Sequence, residues 1–71
     1  MRYLVVLERA RSGYRAHSPD VPGCVATGKT RALVLRRMGA ALALHLEGLQ
    51  EDGLPFPVPS ADALFLEITS G

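Results

Sequence analysis

The chain has 71 residues, a formal net charge of +1, a single cysteine and no apolar run of the about 18 residues needed to span a membrane. This length predicts one domain, residues 1–71, with no C-terminal DNA-binding domain after it. One cysteine excludes an intrachain disulfide and, without a visible signal peptide, predicts a cytoplasmic protein. A net charge near zero gives no broad basic field, so we expect no direct DNA binding and no membrane partner.

The first half of the chain predicts three short strands in an antiparallel meander, at residues 2–8, 14–18 and 25–28, with a hairpin loop at 11–13. Side chains of a strand point alternately to its two faces, and apolar residues occupy both sets of positions in the first strand. Tyr3, Val5 and Leu7 lie on one face, and Leu4 and Val6 lie on the other.

The segment between the second and third strands predicts a rigid structural turn, made by Pro19, Asp20, Pro22, Gly23 and Cys24. Proline favours the second position of a type II turn, and glycine takes the positive φ required at the third. Pro19 also restricts the residue before it to extended conformations. Asp20 stands just before the turn, where its carboxylate is placed to accept backbone N–H bonds.

A helix is predicted from an N-cap at Thr30 to about Glu51, with Gly53 as the left-handed residue that ends it and Pro55 preventing its continuation. Its apolar stripe, with His45 on the same side, consists of Val34, Leu35, Met38, Ala41, Leu42, Leu46 and Leu49. Leu33 and Leu44 fall off this stripe, so we expect them to be exposed in a monomer.

After a proline-stiffened connector at 54–59, residues 63–69 predict a last strand. The predicted order is β-β-β-α-β, an α+β fold in which one helix covers only one face of the sheet. A domain of this size buries a small core and gains from association, so we expect a homo-oligomer. The candidate oligomer or partner surface is apolar: Leu4, Val6, Leu33, Leu44 and Phe65.

The sequence predicts no catalytic residue, no cofactor and no metal site, and therefore no enzyme. The seven acidic residues are scattered, whereas two-metal nuclease chemistry needs several carboxylates at one point. Cys24 with His17 or His45 is a conceivable nucleophile–base pair, but a buried structural cysteine fits better. A residual hydrolase is the weakest of the open alternatives.

Two segments together resemble HicB-type antitoxins. The first, GYRAHSPDVPGCVATG at 13–28, is similar to the sheet signature of that family; the second, HLEGLQEDGLP at 45–55, is similar to the end of its helix and its proline-rich exit. The resemblance implies a truncated ribonuclease H-like fold, β-β-β-α-β, without that fold's catalytic carboxylates. It also implies a dimer or tetramer.

The same resemblance implies a role in a toxin–antitoxin system: covering the active site of HicA, a small RNA-cleaving toxin with a catalytic histidine. The candidate toxin-facing acids are Glu47, Glu51 and Asp52, at the end of the helix. The alternative is an orphan, self-assembling HicB-like domain with an unknown partner or ligand and no toxin.

Overall fold

The computed structural model describes residues 1–70 and places three antiparallel strands before one helix. The elements are β1 (Val6–Ala10), β2 (Gly13–His17), β3 (Val25–Gly28) and α1 (Arg31–Glu51). The sheet order is β1-β2-β3, with Leu7 opposite Ala16 and Ala16 opposite Ala26. This confirms the α+β class and the meander.

The strand bounds differ from the prediction at the start of the chain. β1 begins at Val6 rather than Arg2, because β2 ends at His17 and provides no partner for residues 2–5. At the hairpin, Gly13 belongs to β2 and has φ +144°, where a Cβ atom would collide with the carbonyl oxygen of Gly28. Close approach of the two backbones therefore requires glycine at this position.

Residues 21–24 form a turn with the positive φ at its third position that type II requires. Gly23 has φ +89°, and the N–H of Cys24 donates to the carbonyl of Val21 at 3.3 Å. A second turn precedes it, closed by the N–H of Val21 on the carbonyl of Ser18 at 3.2 Å. The two consecutive turns bring Val21 and Cys24 under the helix.

The core lies between one face of the sheet and α1. Its buried apolar members are Ala16, Val21, Cys24, Val34 and Met38. Partly buried side chains pack around them: Tyr3, Val5, Leu7, Tyr14, Ala26 and Leu42. Tyr3, Val5 and Leu7 thus share the core face, as their alternation predicts, which leaves Leu4 and Val6 on the other face.

The ends of α1 are as predicted. The Thr30 hydroxyl accepts the N–H of Leu33 at 3.1 Å. At the other end Gly53 has φ +67°, and its N–H and that of Leu54 return to the carbonyls of the last turn.

The predicted stripe is confirmed for Val34 and Met38, which are buried, and for Ala41, Leu42, Leu46 and Leu49, which are partly buried, but it differs at its edges. Leu35 is 46% exposed and His45 is exposed, whereas Leu33, expected to be exposed, is partly buried. The cause is the close approach of α1 to Gly28, where a Cβ atom would lie 3.3 Å from Leu33 Cγ. Leu33 therefore packs over the end of β3. Leu44 is 71% exposed, as expected.

The predicted last strand is not confirmed. Residues 63–70 form no ladder with any strand in the described part of the chain. Leu64, Phe65, Leu66 and Ile68 are between 82% and 105% exposed. This segment projects from a molecule whose extents are 54 × 28 × 16 Å.

Replacing glycine by alanine at two positions tests the turn. Neither Gly23 nor Gly39 has an atom within 4 Å of an added Cβ, so the two changes differ only in backbone conformation. We expect Gly23→Ala to lower Tm by roughly 4–8 °C, because a left-handed conformation costs an alanine about 1 kcal/mol or more. Gly39→Ala, inside α1, should raise Tm by roughly as much because alanine favours helix. Thermal unfolding of both variants, followed by circular dichroism, checks the signs; a neutral Gly23→Ala would contradict the turn assignment.

Candidate binding surfaces

The Asp20 carboxylate joins the turn to the segment that leaves the helix. Its Oδ2 accepts the backbone N–H groups of Ser60 at 3.0 Å and Ala61 at 2.8 Å, and its Oδ1 accepts the Ser60 hydroxyl at 3.1 Å. We call this set of three hydrogen bonds the Asp20 clasp. The N–H of Ala61 is the main cause that lowers the pKa of Asp20, and partial burial opposes it. The carboxylate is therefore held ionised at neutral pH.

Two further contacts fix the neighbourhood of the clasp. The Ser18 hydroxyl donates to the carbonyl of Leu4 at 2.8 Å, and the Tyr3 hydroxyl donates to the carbonyl of Pro57 at 2.7 Å. The N-terminal run 2–5 is consequently held between the turn and the exit segment. A groove of about 340 Å³ separates this run from residues 59–62.

Cys24 is a structural residue. It is buried, its thiol lies 3.9 Å from the carbonyl of Ala41, and burial raises its pKa. Both His17 and His45 are exposed, and neither bonds to Cys24 among the contacts of residues 1–70. The pairing needed for nucleophilic catalysis is not assembled in the described residues.

The charges of α1 run against its dipole. Arg31 opens the helix, and its first turn has no acidic residue; Glu51 closes it, and its last turn has no basic residue. A helix is stabilised by the opposite arrangement, with acids first and bases last. Glu47 and Glu51, four residues apart, also repel each other along one face. A locally unfavourable pattern of this kind is typical of a surface selected for binding.

The acidic end of α1 adjoins an exposed apolar residue. Leu44, Glu47 and Glu51 follow helical spacing along one face, and all three are exposed. We call this stripe, with Asp52 after it, the acidic helix end. The predicted acids are thus brought together on one face of the helix. The sequence analysis did not group Leu44 with them, although its helical spacing places it on the same face.

The structure does not join the predicted apolar residues into one surface. Leu4 and Val6 are partly buried on the sheet face away from the helix, and Leu44 lies on the helix. Phe65 projects with the C-terminal segment. The sequence analysis also missed Ser60 and Ala61, whose partner Asp20 is 40 residues away and leaves no local signal.

Metal-ligand clusters and helical membrane spans are both absent from the part of the chain that the structure describes. No group of three potential metal ligands occurs within residues 1–70. In the same range, no helix combines the length and apolarity required to span a bilayer.

Relatives of the chain are found by sequence and by structure. No family model matches the chain. A UPF0150 protein of Helicobacter pylori is 39% identical over 51 residues, covering 72% of this chain and 71% of that protein. UPF0150 protein Ta0767 of Thermoplasma acidophilum is 28% identical over 65 residues, covering 90% of this chain and 94% of the relative.

Two further relatives are longer than this chain. An uncharacterised 14.9 kDa protein of Haemophilus phage HP1 is 35% identical over 57 residues; the match spans 80% of this chain but only 43% of the phage protein. A chain in a solved HicA3 and HicB3 toxin–antitoxin complex superposes with a TM-score of 0.69 at 32% identity, over 84% of this chain and 70% of that one.

The Asp20 clasp predicts a pH dependence. Because the folded pKa of Asp20 lies below its ordinary value of 3.8, the clasp stabilises the fold fully above about pH 5 and is lost as pH falls through the folded pKa. We expect Asp20→Asn to lower the urea midpoint at pH 7 and to differ progressively less from the wild type as the pH falls below 3.8. Asp62→Asn is the control, because that carboxylate bonds only the adjacent N–H of Ala63 within residues 1–70. An equal effect of the two variants at pH 7 would contradict the clasp.

Proposed function

The chain belongs to the HicB-type family, and we propose that it is an antitoxin-type binding protein that neutralises a HicA-like RNA-cleaving toxin by covering the toxin's active site. The observation that carries this proposal is the similarity, with a TM-score of 0.69, to a chain of a HicA3 and HicB3 toxin–antitoxin complex. Covering a site requires a complementary surface and no chemistry of the antitoxin's own. Such a protein would act in the cytoplasm, without cofactor or membrane.

The acidic helix end is the surface that we assign to the toxin. A protein that cleaves RNA must attract phosphates, so its active face carries positive charge. Glu47, Glu51 and Asp52 are exposed and lie at the negative end of the helix dipole. Leu44 adds an apolar contact beside them, the combination of an apolar anchor and a charged rim that protein interfaces use.

An orphan, self-assembling domain is the second candidate. It is favoured by the four large apolar side chains of residues 63–70 that are at least 82% exposed. This role requires no toxin, so the two functions are separable by experiment.

The direct test is an RNA-cleavage assay with a purified HicA-type toxin encoded beside this gene. We expect equimolar chain to stop cleavage. Undiminished cleavage at tenfold excess would contradict the antitoxin role, and the lack of any such neighbouring gene would favour the orphan domain.

Neutralising one acid tests the assigned surface. We expect Glu51→Gln to weaken toxin binding by roughly 3–10-fold at low salt, mainly through a slower association rate. Its Tm should not fall, because the change removes a repulsion with Glu47 and an unfavourable charge at the helix end. Surface plasmon resonance at two salt concentrations measures the binding. The matched control is Glu8→Gln, which removes an exposed acid paired with Arg15 on the sheet; equal losses in both variants would rule out the acidic helix end.

A further inference from the structure

We propose that two copies of this chain associate by exchanging their C-terminal arms, defined as residues 63–70, so that each arm adds as a strand to the outer edge of β1 in the other copy. The occupant of that edge is thus a second copy of the same chain. The proposal goes beyond toxin binding and does not depend on it.

The arm has the sequence of a strand but lacks a strand's partner. Leu64, Leu66 and Ile68 alternate with Phe65, Glu67 and Thr69, the period of a strand whose two faces differ. Its four large apolar side chains are almost fully exposed, and its backbone forms no ladder within the described chain. An extended apolar segment with free N–H and C=O groups is a template for pairing with another edge.

The outer edge of β1 is the complementary surface. In the sheet order β1-β2-β3, β1 pairs only with β2 among residues 1–70, so its other edge is open. The edge of β3 is less accessible, because Arg37 donates to the carbonyl of Thr27 at 2.9 Å and Leu33 packs over Gly28. An extended arm of eight residues reaches about 26 Å, enough to follow the five residues of β1.

The arm does not reach the edge of its own chain. The Asp20 clasp holds residues 60 and 61, and the large apolar side chains of the arm that follows are at least 82% exposed. Residues 63–69 contain none of the residues that tight turns favour, which are glycine, proline, asparagine, aspartate and serine. The arm and the open edge of β1 therefore do not pair within one chain. Two copies can pair them reciprocally about a two-fold axis.

Charge and area both fit a second copy. The arm's one charged residue is Glu67, and β1 with its following loop carries two arginines, Arg9 and Arg11, against one acid, Glu8, which pairs with Arg15. Four large apolar side chains of roughly 150 Å² each give about 600 Å² per arm, and two arms give about 1,200 Å² before the acceptor surface is counted. That area reaches the range of stable protein interfaces.

Sedimentation equilibrium of the full chain, without toxin, tests the exchange. We expect the wild type to sediment at twice its 7.6 kDa at about 50 μM, and Leu64→Asp/Leu66→Asp to sediment as a monomer with an unchanged circular dichroism spectrum. Leu44→Asp, which places one such charge at another exposed leucine, should remain a dimer. A monomeric wild type at that concentration, or a double variant that still dimerises, overturns the proposal.

Cross-linking identifies the edge. Copies carrying Arg9→Cys are mixed with copies carrying Glu67→Cys and treated with a short bismaleimide; buried Cys24 leaves the wild type as the unreactive control. We expect a covalent dimer that contains one copy of each variant. Dimers of Glu67→Cys alone would mean that arms pair with each other and would overturn the assignment to β1. Because no toxin is present, either failure leaves the proposed antitoxin role standing.

Discussion

The hydrogen bonds of Asp20 to Ser60 and Ala61 connect parts of the chain that are 40 residues apart. The same loop buries Val21 and Cys24 under the helix and, through Ser18, holds the carbonyl of Leu4. One rigid loop, residues 18–24, therefore fixes the N-terminal run, the helix and the exit segment together. Because only five apolar residues are buried among residues 1–70, such directional contacts decide where each element leaves the core.

The two proposed surfaces both depend on that arrangement. The helix carries acidic residues at its C-terminal end, where the helix dipole disfavours them. The arm carries large apolar side chains that are exposed to solvent. Each feature is unfavourable in the isolated chain and becomes favourable against a partner: a cationic protein for the helix end, and a second copy for the arm. The two surfaces lie on different elements, so one molecule can use both.

Local signals in the sequence predicted the local structure well. Pro22–Gly23 predicted the turn, Thr30 and Gly53 the helix ends, and β3 agrees residue for residue. The partial burial of Leu33 could not be predicted, since it depends on the close approach of the helix to Gly28. The predicted start of β1 differs and the predicted last strand is not confirmed, because the length of a ladder depends on a partner elsewhere. The acids of the helix end are exposed as a binding role requires, but no local pattern indicates what they bind.

Hydrogen exchange of the free chain, followed by NMR, tests most directly whether the loop 18–24 organises the molecule. The account predicts that the Ser60 and Ala61 amides, although outside any helix or strand, are protected to a degree similar to the Cys24 amide in the turn, while Leu66 in the arm exchanges freely at low concentration. If Ser60 and Ala61 exchange as fast as Leu66, the clasp does not hold the exit segment, and the path assigned to the arm is wrong.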